Sequence, residues 1–68
     1  MNELNEDAND LTRLCMRAFS GDAGLTALAL GRETHQIEEM MAGRDEIDED
    51  LELKIRGIAE ERSVDLRS

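Results

Sequence analysis

The side chains able to do chemistry in this 68-residue chain are one histidine, one cysteine and a large excess of carboxylates. His35 has no Cys or second His at ligand spacing, so a solvated surface side chain is expected rather than a metal ligand or catalytic base. Cys15 lies on the apolar stripe of a helical pattern and reads as a small buried hydrophobe. As the only cysteine it cannot form an intrachain disulfide, which excludes a secreted disulfide scaffold. Asp45, Glu46, Asp48, Glu49, Asp50 and Glu52 crowd one short stretch. That stretch lacks the central Gly and distant Glu of a calcium loop, and a helix cap with a solvated face accounts for it. Carboxylate pairs for acid/base work are plentiful, but so small a helical chain leaves little room for a water-excluding cleft. No enzyme, catalytic residue, metal ligand or cofactor is expected.

Charge narrows the partners. The formal net charge is -9, with 37% of residues charged, and such a surface disfavours the phosphates of nucleic acid and acidic lipid headgroups at long range. A protein partner with a basic surface is the natural complement. The acidic start does not resemble a signal peptide, and no apolar run approaches a bilayer span, so a cytoplasmic location without membrane contact is expected. At this length the chain is one domain, residues 1–68, with a small core. Phe19 is its only aromatic ring, leaving Leu, Ile, Met and Ala to supply the packing, which suits helices better than a sheet.

Periodicity predicts an all-α bundle of four helices near 3–19, 23–30, 33–42 and 48–62, with a frayed tail at 63–68 unless Val64 and Leu66 fold back. Leu4, Ala8, Leu11, Leu14, Cys15, Ala18 and Phe19 share one side of the first wheel. Asn9, Asp10, Arg13, Met16 and Arg17 lie on the other side. Gly21, Gly31 and Gly43 mark helix ends, and Asp22 and Asp48 are caps. The second helix, Ala- and Leu-rich, is expected to be buried on several sides. On the third, Ile37, Met40 and Met41 face inward while His35, Gln36, Glu38, Glu39 and Ala42 face out. Ile47 tucks under the fourth helix, whose inward stripe is Leu51, Ile55 and Ile58 with Ala59 beside it. The predicted core is Leu11, Phe19, Leu28, Ile37, Met41, Leu51 and Ile55.

Leu30-Gly31, the inward Ile37, the pair Met40-Met41, the stop Ala42-Gly43-Arg44, and Ile47 before an acidic cap together resemble the Cro and phage-repressor type of helix-turn-helix, across roughly Leu25 to Glu61. The resemblance implies a helix-turn-helix core at about 22–61, with the third helix as the partner-reading element. The chain departs from that pattern where Arg32 replaces a small buried aliphatic residue, Glu33 replaces a Ser or Thr cap, and the outer face carries His35, Gln36, Glu38 and Glu39. Two carboxylates there oppose phosphates, and only Arg32 and Arg44 flank the helix as a phosphate clamp, with Arg13 and Arg17 on the first helix.

The expected function is therefore a small acidic, helix-turn-helix-like interaction protein, a regulator or inhibitor that binds a protein partner, possible as a DNA mimic of phage or mobile-element origin. The alternative is a sequence-specific DNA-binding repressor acting as a homodimer. Partner-binding candidates are His35, Gln36, Glu38, Glu39, Arg32 and Arg44. Leu53 stands on the outer side of the last helix near Gly57, which permits close approach, and the two mark an expected self-association surface.

Overall fold

A computed structural model describes residues 9–67, and over them the chain folds into α1 (Asp10–Ala18), α2 (Ala23–Leu30), α3 (Thr34–Met41) and α4 (Glu49–Glu61). No strand occurs among the described residues, so the expected all-α class and the last three helices stand. Leu4, Ala8 and the rest of the first helix's expected early turns lie outside the described residues.

Helix α1 begins later than its wheel predicts because Asn9 is extended (φ -94, ψ 177) and acts as its cap. Its Oδ1 accepts from the Thr12 amide at 2.8 Å, while its Nδ2 donates to the Met40 carbonyl at 3.1 Å. One side chain thus satisfies a free amide of α1 and adds a second donor to the Met40 carbonyl at the end of α3, which also accepts from the Gly43 amide. Asp22 and Asp48 cap α2 and α4 through the Leu25 and Leu51 amides, as their positions before apolar periodic runs imply.

Three helices end by the same device. Gly31 (φ 71) sends its own amide to Leu28 and that of Arg32 to Ala27; Gly43 (φ 84) repeats this with Met40 and Glu39. Ser63 (φ 58) repeats it again on α4, with the Val64 amide on the Ala59 carbonyl. These are paired left-handed terminations that consume carbonyls no helix can use. At Ser63 the turn reverses the chain, so the tail expected to fray instead lies against the core through Val64 and Leu66. Arg17 donates to the Asp65 and Arg67 carbonyls, and Arg13 to that of Leu66, fixing the tail along α1.

The core gathers Leu11, Leu14, Cys15 and Phe19 from α1, Ala27 and Leu30 from α2, Ile37 and Met40 from α3, and Leu51, Ile55 and Ala59 from α4. Helix α3 packs on α2, and α4 on α1; α2 also touches α1 and α4 less extensively, and α3 touches α1. Two core assignments are corrected. Leu28 is 79% exposed, and Met41 is only half-buried beside a buried Met40. For Leu28 the reason is that AGLTALAL is apolar on every side, so its hydropathy carries no phase. The neighbours choose the buried face, and they choose Ala23, Thr26, Ala27 and Leu30, an i, i+3, i+4, i+7 set. Thr26 is fully buried there because its hydroxyl donates to the Asp22 carbonyl, while Leu25, Leu28 and Ala29 are exposed. Helix α2 is thus buried on one side only.

Candidate functional site

Helix α3 is held from below by Ile37 and Met40, and this fixes which of its polar side chains can reach a partner. Glu33 occupies the cap position without a side-chain cap bond, consistent with a carboxylate replacing the shorter Ser or Thr. His35 and Glu38 are exposed; Gln36 and Glu39 are half-buried rather than fully outward, because they border the inward stripe. No cap or ion-pair partner engages Glu38 among the described residues.

The flanking cations are both occupied. Arg44 meets Glu39 through two hydrogen bonds, Nε to Oε1 at 2.9 Å and Nη2 to Oε2 at 3.1 Å, a two-pronged fit that a guanidinium makes with a carboxylate. The pair spans five residues, outside the three- and four-residue spacing of helix pairs, and exists because the Gly43 turn swings Arg44 back over the last turn of α3. Arg32, half-buried, lies 3.3 Å from Asp48 and 3.9 Å from Asp50 at the start of α4. Arg32 stands where the resemblance implies a small aliphatic residue, and its charge has recruited the capping acid of another helix. Neither pairing has a local spacing signal, so sequence reasoning could place both arginines near α3 but not show them engaged.

Electrostatics follow from these contacts. The Arg44 hydrogen bonds hold the Glu39 carboxyl below its ordinary 4.5, with the Arg44 charge and His35 adding to the effect. The Leu51 amide does the same to Asp48, below its ordinary 3.8, aided by Arg32. A carboxyl depressed in the folded state contributes stability above its unfolded value, and that contribution is lost as pH falls through the folded value. Meanwhile, protonating unpaired surface acids relieves the self-repulsion of a chain at -9. Thermal stability is therefore expected to gain from charge relief as pH first drops below neutral, and to fall at lower pH as the Glu39 and Asp48 carboxyls, held below their ordinary values, take up protons. Glu39→Gln should remove part of that acid loss. Melting temperatures that rise steadily from pH 7 down to pH 3 would contradict this reading.

No family model, curated protein or solved structure matches the chain. The site rests on its own geometry.

On the far face of α4, Leu53 is 61% exposed, and a Cβ built on Gly57 would meet nothing within 4 Å. Lys54 pairs with Asp50, and Arg56 with Glu52, along the same helix. The intrachain core makes no use of Leu53, as the wheel implied. No helix among the described residues is long and apolar enough to cross a membrane.

Proposed function

We propose that this chain is a small acidic interaction protein whose α3 face, led by Glu38 with His35 and Gln36 beside it, docks on a basic surface of a protein partner and regulates or inhibits it. One observation carries the reading: Arg32 and Arg44, the cations that flank α3 among the described residues, are each held by carboxylates of the chain itself. A DNA reader needs such cations on phosphates, and releasing either one would leave Asp48 or Glu39 unpaired beside the backbone it must grip. The unpaired Glu38 carboxylate suits a partner whose groove is built for phosphates, which makes a DNA mimic the concrete version of this proposal. No cofactor enters the mechanism, and the chain acts by occupying a surface rather than by catalysis.

The second reading, a sequence-specific DNA-binding repressor that dimerises through Leu53 and Gly57, is favoured by the three residues that separate α2 from α3 and by the left-handed Gly31 that turns them. A mobility-shift assay at low salt with DNA upstream of the protein's own gene separates the two. The expected result is no specific complex, together with salt-sensitive retention of a basic protein in a pull-down from the native host. A specific DNA complex at nanomolar protein that survives competitor DNA would overturn the proposal.

A further inference from the structure

Two large apolar side chains that the core leaves uncovered stand together on α2. Leu28 is 79% exposed and Leu25 52%, and they line an open groove of about 490 Å³ with Phe19, Ala29, Asp22 and Arg62. Met16 is also exposed, at 62%, its sulfur 3.4 Å from where a Cβ on Gly21 would stand. Exposed leucines side by side on one short helix form a contiguous patch, unlike the lone Leu53 on α4.

The charges of the groove are unusual in this molecule. Every other Arg or Lys donates to, or pairs with, an oxygen of the chain, from Arg13 and Arg17 on the tail carbonyls to Arg67 on Asp65. Arg62 does neither among the described residues. Its guanidinium carbon lies 4.7 Å from the centroid of Phe19, stacked over the ring at the groove's wall. Asp22, lining the same groove, spends one carboxylate oxygen on the Leu25 amide and has no cation partner among the described residues.

We propose that this groove is the contact between two copies of the chain, related by a two-fold axis. Each copy sets Leu25 and Leu28 into the groove of the other and places Arg62 against Asp22 of the partner subunit. In a two-fold contact residue i meets residue j and j meets i, so one surface carrying an acid and a base among apolar side chains can be its own complement. A basic peptide would confront Arg62, and an acidic one would confront Asp22 and the field of the whole molecule. A second copy supplies both signs. The patch involves fewer residues than the roughly 20–30 a side of a standard interface, so association is expected in the micromolar range. Because each copy carries -9, screening the long-range repulsion should tighten the dimer as salt rises, while the apolar contact persists. That response is opposite in sign to the salt-weakened binding expected of α3 to a basic partner, so the two proposals stand or fall separately.

Sedimentation equilibrium of the full chain, from about 10 µM to about 500 µM and at low and high salt, tests this. The expected result is a reversible monomer–dimer equilibrium that tightens severalfold in higher salt. Leu28→Glu, at an exposed position, should abolish it while the helical circular dichroism is kept. Arg62→Glu should weaken it roughly tenfold or more by facing an acid to Asp22 of the partner subunit. Adding Asp22→Asn to Arg62→Glu, which keeps a capping side chain, should recover part of the loss, as no fold defect would. A monomer at the highest concentration and salt would overturn the proposal. So would a dimer indifferent to Leu28→Glu, or one lost on Leu53→Glu.

Discussion

Replacing Ile37 with Asp is expected to leave the chain unfolded at room temperature, although the substitution touches one residue of α3. Ile37 is 0% exposed, between Met40 on its own helix and the packed faces of α2. The change removes the transfer energy of a buried aliphatic side chain, ~2–3 kcal/mol, and adds a carboxyl with no hydrogen-bond donor prepared for it, several kcal/mol more even if it takes up a proton. A domain of this length has a net stability of roughly 3–10 kcal/mol, so the loss is comparable to the whole. The loss of helical circular dichroism and of a cooperative urea transition would report it. Glu38→Ala, one residue on but exposed, should shift the midpoint little. A soluble Ile37→Asp variant with an intact cooperative transition would mean that α3 is not seated on the core as described.

How much of this was legible depends on whether a stretch of sequence carries a phase. Helices α3 and α4 mix apolar and charged residues, so Ile37, Leu51 and Ile55 could be assigned inward from spacing alone, and Gly31, Gly43 and Asp48 fixed their ends. Helix α2 has no charged residue, and there the same reasoning fails: a periodic rule cannot orient a helix that is apolar all round. Leu28 then looked like core because of its residue type, whereas the packed face contains Thr26 and two alanines. The start of α1 was misread for a different reason. Asn9 fits the polar side of a wheel as well as it fits a cap, and its extended backbone with the bond from the Thr12 amide shows which role it has. At the candidate site the residue list was legible and its pairing was not. Arg32 with Asp48, and Arg44 with Glu39, depend on how two turns fold, and these pairs decide whether α3 has cations to offer.

The same pairs predict that Glu38 and Glu39, adjacent and chemically alike, will differ in binding. Glu38 is exposed and unpaired among the described residues, so a basic partner meets a full carboxylate there; Glu38→Gln should weaken the complex by roughly tenfold. Glu39 already has its guanidinium, so Glu39→Gln should cost the complex less. Arg44→Ala gives the contrast. It unmasks the Glu39 carboxylate and should strengthen binding to a basic surface, whereas in a DNA reader it would remove a phosphate contact and weaken binding at every sequence. A titration of the partner captured from the native host, at two salt concentrations, measures all three variants. If Glu38→Gln binds more tightly than the parent while Arg44→Ala binds less, the face of α3 is reading an anion, and the acidic-ligand mechanism is wrong.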